Sequence, residues 1–295
     1  MPAVPGHNAL LIANRACRDG EIDLKPALAQ LDERGVAAHV VYPDGVAELQ
    51  RDIREASGRW GTVIVAGGDG TLHAAIPALR EADVVLGILP LGTANDLARG
   101  LDIPLDLVGA AEVIGSGRVR PIDIAAVNDT FFLNAASIGL GVAVTRELSN
   151  SGNLKRRWGA LSYARALVNA MSNVDAFRVR LTIDGEQKSV RSLQVTIGNG
   201  PYYGGGMAIA PEARVDDGTL YLYSVAPRPF WQLARLLTAI PRGGQGRYPQ
   251  VLAQQARRIQ VDTDEPLPIT ADGEPCGKTP ATFEVLPAEV RVWVP

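Results

Sequence analysis

At 295 residues the chain is long enough for two ordinary domains, and 46% hydrophobic against 21% charged residues is the balance of a core-forming protein. No apolar run approaches the roughly 18 residues of a membrane span. A net charge of −3, from 29 basic and 32 acidic residues, excludes a global basic field for nucleic acid.

The opening MPAVPGHNALLIANR has no basic segment ahead of its short apolar run, so a cytoplasmic chain without a secretory leader is expected. Candidate strands follow at Ala9 to Ala13, Val36 to Val41, Thr62 to Ala66 and Val84 to Leu89. Between them LKPALAQLDERG, VAELQRDIREAS and LHAAIPALREAD carry helical periodicity, and LDLVGAAEVIGSG adds a further helix. This alternation predicts an α/β domain with a parallel sheet over residues 1–122, which the C-terminal strand 288–295 is a candidate to complete. After Pro121 the strands become longer and consecutive, with Asn128-Asp129 and Asp184-Gly185 at hairpin positions. Residues 123–287 are therefore read as a β-rich, mainly antiparallel domain. One amphipathic helix is expected within it, over NLKRRWGALSYARALVNAMS. Cys17 and Cys276 stand far apart and read as reduced thiols; His7, His39 and His73 are scattered and form no zinc constellation. Any metal is expected to be a hard, oxygen-bound ion.

Two glycine turns carry the chemistry. In TVIVAGGDGTLHAAI a β-branched strand runs into Gly67, Gly68, Asp69, Gly70 and Thr71 before a helix, presenting bare N–H groups where phosphates bind in open α/β sheets. A carboxylate at Asp69 would repel phosphate unless a cation lies between them, and Mg²⁺ is the simplest mediator. The same pattern also serves a tight turn whose Asp caps the helix. In the next motif, GILPLGTANDLARGL, Pro90 ends a strand and Gly92 opens a turn. Thr93, Asn95 and Asp96 there offer polar side chains, which ordinary N-capping would use equally well.

GGDGT followed by PLGTANDLAR resembles the diacylglycerol kinase catalytic family, particularly its bacterial YegS-like lipid kinase branch. FFLNAASIGLG, GNGPYYGGGM, PEARVDDGTL and ADGEP continue the resemblance in family order over nearly the whole chain. It implies an NAD kinase/diacylglycerol kinase-like fold and transfer of the γ-phosphoryl of ATP to a lipid hydroxyl with Mg²⁺. Gly67 through Ala74 (Gly67, Gly68, Asp69, Gly70, Thr71, Leu72, His73, Ala74), with Thr93 and Asn95, would line the nucleotide site, and Asn14 would lie nearby. Glu274 would accept the hydroxyl proton, with Asp272 of the same turn the alternative carboxylate. Asp217 would hold a structural Mg²⁺ with the carbonyls of Arg214 and Thr219. Taken without the family, ADGEP and DDG read as surface turns.

The chain departs from the family pattern at Arg15 to Arg18 and at Ala74, and it lacks the usual threonine after its second strand. Peripheral membrane contact is assigned to PRPFWQLARLLTAIPRGGQGR and LKRRWG, each of which also reads as an element packed on the sheet. NAD kinase, which shares GGDGT, and a catalytically silent nucleotide- or lipid-binding module are the competing functions. The lipid acceptor and the oligomeric state are left open.

Overall fold

The computed structural model describes residues 8–14, 22–143, 175–203, 206–208, 210, 212–229, 246 and 248–295. The helix expected over 153–172, the basic stretch 154–159, residues His7, Arg15, Cys17 and Arg18, and most of 227–247 lie outside the described residues.

The first part alternates β1 (Asn8–Ala13), α1 (Lys25–Glu33), β2 (Ala37–Val41), α2 (Val46–Ala56), β3 (Thr62–Gly67), α3 (Asp69–Glu81), β4 (Val85–Pro90), α4 (Asp96–Gly100) and α5 (Leu107–Ser116). The strands pair in parallel in the order β2-β1-β3-β4. Every residue of β3 and β4 is buried, because helices cover both faces of a parallel sheet, and the two strands therefore read as unbroken apolar runs. Helix α2 buries Leu49, Ile53 and Ala56, one stripe at helical spacing. Helix α3 begins three residues earlier than its apolar periodicity predicts. The N–H groups of Thr71 and Leu72 both donate to the Gly68 carbonyl, at 3.0 and 3.1 Å, so the Gly-Asp-Gly motif is itself the first helical turn.

The remainder is mainly antiparallel. It comprises β5 (Arg118–Val127), β6 (Thr130–Phe132), β7 (Ala135–Gly139), β8 (Phe177–Ile183), β9 (Glu186–Ser192), β10 (Gln194–Gly198), β11 (Tyr202–Tyr203), β12 (Met207–Ala208), β13 (Leu220–Val225), β14 (Val251–Ala256), β15 (Arg258–Thr263), β16 (Pro268–Ala271), β17 (Glu274–Lys278) and β18 (Ala281–Val294). Asn128, Asp184 and Asp272 take positive φ at their turns, as Asn and Asp tolerate. A six-stranded sheet runs β14-β13-β10-β7-β16-β17. Its apolar face, with Ile138, Ile197, Leu220 and Leu222, joins Val127, Phe132, Val179 and Phe283 of the larger sheet in one buried cluster. Burying each such side chain contributes about 1.5–3 kcal/mol.

Strand β18 joins the halves. Its early residues pair antiparallel with β15, its last ones pair parallel with β4 at Arg291↔Val85 and Val292↔Leu86, and β5 runs antiparallel along nearly its whole length. The register shifts between Leu286 and Val290. There the buried Asp123 of β5 accepts the N–H of Ala288 at 2.9 Å and the N–H of Gly218 at 2.7 Å. Trp293 is buried, and its indole N–H donates to the Thr62 hydroxyl at 3.2 Å.

Candidate active site

Strands β3 and β4 end side by side, so their glycine turns meet. A methyl group on Gly68 would stand 2.9 Å from the Gly92 Cα, and one on Gly92 would stand 2.8 Å from the Gly68 Cα. Gly67 is required by Thr71, whose side chain would lie 2.6 Å from an added Cβ. Gly70 is exposed and nothing lies within 4 Å of its Cβ position. The protein itself does not demand glycine there. An open position at the first turn of a 13-residue helix suits close approach by an anion, where N–H groups without helical partners and the helix dipole favour negative charge.

Gly70→Ala is accordingly expected to keep its melting temperature while weakening ATP binding roughly tenfold. Gly68→Ala is expected to lose both, since overpacking costs about 1–3 kcal/mol. Thermal melts and calorimetric titrations check the pair, and unchanged ATP binding in Gly70→Ala would remove the open turn from the phosphate seat.

The second turn is held by its own side chain. Asn95, buried and at φ 52°, accepts the Gly92 N–H at 2.9 Å and donates to the Gly92 carbonyl at 2.8 Å. Its amide shapes the turn, while Thr93 is exposed on it. Leu72 is buried in the core, so any part it has in a nucleotide site belongs to its backbone. Asn14 lies half-buried where β1 ends, its N–H donating to the Ala66 carbonyl at 3.2 Å. The Ala74 carbonyl accepts from Gln50 at 2.9 Å, tying α3 to α2.

Asp69 does not cap its own helix. Its Oδ1 accepts the Leu97 N–H at 3.4 Å, reaching the start of α4 instead. Burial first, then the Asp96 carboxylate, push its carboxyl above the ordinary range; the N–H groups of Leu97 and Asp96 oppose this, and Asp272 adds to it. A cation at this position would relieve the repulsion. Asp96 in turn accepts the Gly206 N–H at 2.6 Å, which brings the GNGPYYGGGM segment onto α4.

Asp272 is a buried hub. Its Oδ2 accepts the Leu133 N–H at 2.8 Å, and its Oδ1 accepts those of Asn134 and Ala135 at 2.9 and 3.1 Å. His73 Nδ1 lies 3.1 Å from the same Oδ2. The turn is not the surface feature that ADGEP suggests by itself. With three backbone donors and a ring on its oxygens, Asp272 positions its neighbours, and Glu274 stands exposed two residues later at the head of β17. Burial alone would lower the His73 pKa, but the hydrogen bond to Asp272 and the charges of Asp272 and Glu274 outweigh it and raise it. Asp272 thus links Asp69, His73 and Glu274 in one electrostatic neighbourhood. Cys276 is nearby, and burial and then Asp272 push its thiol up to about 11, away from the reactive thiolate form.

The Arg214–Thr219 turn has separate partners. Asp217 Oδ2 accepts the Arg214 N–H at 3.0 Å and the Tyr221 hydroxyl at 2.8 Å, and Asp123 fixes Gly218. Among the described residues no group of three or more His, Cys, Asp or Glu side chains forms a metal cage. A single carboxylate with backbone carbonyls suits Mg²⁺, which keeps several waters. Sequence reasoning missed Asp123 and the His73–Asp272 contact. A lone acid inside the apolar strand IDIAAV was the available signal for Asp123; the contact spans 199 positions and leaves no local trace.

Residues 8–127 match the model of the diacylglycerol kinase catalytic domain, and residues 135–294 match that of the YegS C-terminal NAD kinase beta sandwich-like domain. A "Probable lipid kinase YegS-like" of Pseudomonas aeruginosa (strain UCBPP-PA14) is 36% identical over 94% of this chain and 91% of its own. A diacylglycerol kinase of Staphylococcus carnosus (strain TM300) is 31% identical over 85% of this chain and 81% of its own. A diacylglycerol kinase-like protein of Bacillus anthracis str. Sterne, known from its crystal structure, superposes with a TM-score of 0.83 at 28% identity, covering 99% of this chain and 96% of the other. An α/β sheet with paired glycine turns, set against a β-sandwich, defines a kinase enzyme. The chain belongs to the diacylglycerol kinase catalytic family, in its YegS-like lipid kinase branch.

Proposed function

We propose that this kinase transfers the γ-phosphoryl of ATP, carried with Mg²⁺, to the hydroxyl of diacylglycerol or a related lipid. The observation that supports this reading best is the open phosphate-type turn at Gly70 on the helix whose Asp69 and His73 are both within electrostatic reach of the Asp272–Glu274 turn. Phosphoryl transfer needs mainly positioning and charge neutralisation, and a carboxylate to take the hydroxyl proton. In this reading Gly67 to Ala74, Asn14 and Thr93 line the nucleotide site, and Asn95 shapes the second turn. Asp69 holds the cation at the phosphates, and Glu274 is the proton acceptor. Arg214, Asp217 and Thr219 hold a structural Mg²⁺. Bound Mg²⁺ supplies charge neutralisation at the phosphates.

Residues 1–122 with strand 288–295 form the nucleotide half and residues 123–287 the lipid half. Among the described residues no helix is long and apolar enough to cross a membrane. The kinase works from the cytoplasm with transient contact at the inner face of the membrane, through 227–247 and 154–159.

Incubation with a lipid extract, ATP and Mg²⁺, followed by mass spectrometry, tests the proposal. Lipids heavier by one phosphate support it. NADP formed from NAD would favour the NAD kinase reading, and nucleotide binding without turnover would favour a silent module. Thr93→Val removes a hydroxyl at nearly constant volume, so it is expected to leave the melting temperature unchanged and raise KM for ATP by about threefold to tenfold. An unchanged KM would take Thr93 out of the site.

A further inference from the structure

The ring of His73 is fixed at one end. Both oxygens of Asp272 already accept backbone N–H groups, three in all, so in the 3.1 Å contact His73 Nδ1 is the donor. The Asp272 side chain is 1% exposed and that of His73 is 17% exposed. With Nδ1 turned to the buried carboxylate, the accessible side of the ring is the one that carries Nε2. His73 also lies four residues after Asp69 on α3, so both stand on one helix face, one turn apart.

We propose that His73, oriented by Asp272, is a further catalytic residue that donates Nε2–H to the phosphoryl group in transfer. This deepens the kinase reading and rests on phosphate binding at the start of α3. The acidic groups that act on the ring are Asp272 and Glu274 of the β16–β17 hairpin. Burial opposes the charged ring, and these two carboxylates outweigh it in favour of the imidazolium form. A cation here complements Mg²⁺, because it hydrogen-bonds a transferring oxygen in a fixed direction. As pH rises through the raised His73 pKa, the ring becomes neutral, Nε2 turns from donor to acceptor, and the contact is lost.

Two isosteres separate this role from a clasp that only holds the fold. The amide nitrogen of Asn mimics Nδ1, so His73→Asn keeps the bond to Asp272 and lacks a group at the Nε2 position. Gln mimics Nε2, so His73→Gln reverses the two. The first measurement is an NMR titration of the histidine rings in the full chain, with and without a non-hydrolysable ATP analogue and Mg²⁺; His73→Asn assigns the signal among the three histidines. The nucleotide is expected to move the His73 titration to higher pH. A titration that the nucleotide does not move would overturn the proposal, whatever lipid is used.

The second measurement is turnover with vesicles of diacylglycerol and phosphatidylglycerol. His73→Asn is expected to melt like the parent protein and to lose roughly tenfold or more in kcat, with little change in KM for ATP. It should also lose the fall in kcat on the basic side of the parent pH profile, while His73→Gln retains more of the kcat than His73→Asn does. A parent-like kcat and pH profile in His73→Asn would reduce the pair to a clasp. If the nucleotide moves the ring titration and no lipid is phosphorylated, the phosphate donor stands and the lipid assignment falls.

Discussion

Glu274→Gln is expected to lower lipid phosphorylation by roughly 10² or more while ATP still binds, because the loss concerns proton removal and leaves the phosphate turns untouched. The position favours a base. A two-residue turn at Asp272-Gly273, both at positive φ, delivers Glu274 to the first place of β17. Asp272 pins that turn to the Leu133–Ala135 backbone, and its N–H returns a bond to the Ala135 carbonyl at 2.9 Å. Glu274 is thus exposed at the end of a rigid support. Calorimetric ATP·Mg²⁺ binding beside initial rates, after circular dichroism has verified folding, is the measurement. Near-normal turnover would exclude Glu274, and the occupied oxygens of Asp272 make it a poor replacement.

Asp69→Asn should trade function for stability. The carboxyl of Asp69 sits above its ordinary pKa through burial and the neighbouring Asp96, so the ionised form is unfavourable in the fold. The sign follows from linkage: a carboxyl whose folded pKa is raised stabilises the fold when protonated, and that contribution is lost as pH rises through the folded value. An amide keeps the acceptor for the Leu97 N–H and carries no charge. Differential scanning calorimetry at neutral pH, without nucleotide or metal, should show a melting temperature higher by roughly 2 °C or more. The gain should fade on acidification, as the parent Asp69 takes up its proton. Lipid phosphorylation should fall by about 10² or more and show an altered Mg²⁺ requirement. A variant that melts lower than the parent, or that keeps its turnover and metal dependence, would contradict the assignment.

What the sequence disclosed about this fold follows from the range of each signal. Buried parallel strands and the stripe on α2 are local patterns, so β1 to β4 were legible to within a residue or two. The hairpin turns at Asn128 and Asp184 were legible because a positive φ selects residue types. The glycines of the candidate site could be read as a cluster, but not sorted. That Gly68 and Gly92 touch each other while Gly70 faces open space depends on two turns 24 positions apart meeting at one sheet edge. Asn95 and Asp272 look alike in sequence, polar residues in turns, yet one spends its amide on its own turn and the other gathers three distant N–H groups. Asp69 was expected either to face a cation or to cap its own helix; the cap is not made, because its acceptor bond goes to the next helix.

Strand β18 limits how this protein can be taken apart. The family match that ends at residue 127 suggests a portable nucleotide-binding module, but the β4 edge of that segment is covered by residues 291 and 292, and Thr62 is bonded to Trp293. Expressed alone, the segment would expose an apolar strand edge of the kind that recruits other chains, and it would aggregate. A chimera that exchanges the sandwich for that of a relative must therefore carry the native 288–294 back into the first sheet, or supply a strand with matching register. The same stitching makes a circular permutant attractive, with residue 294 linked to residue 8 and new ends opened at an exposed hairpin tip such as Asp184-Gly185, since every strand pairing is then preserved.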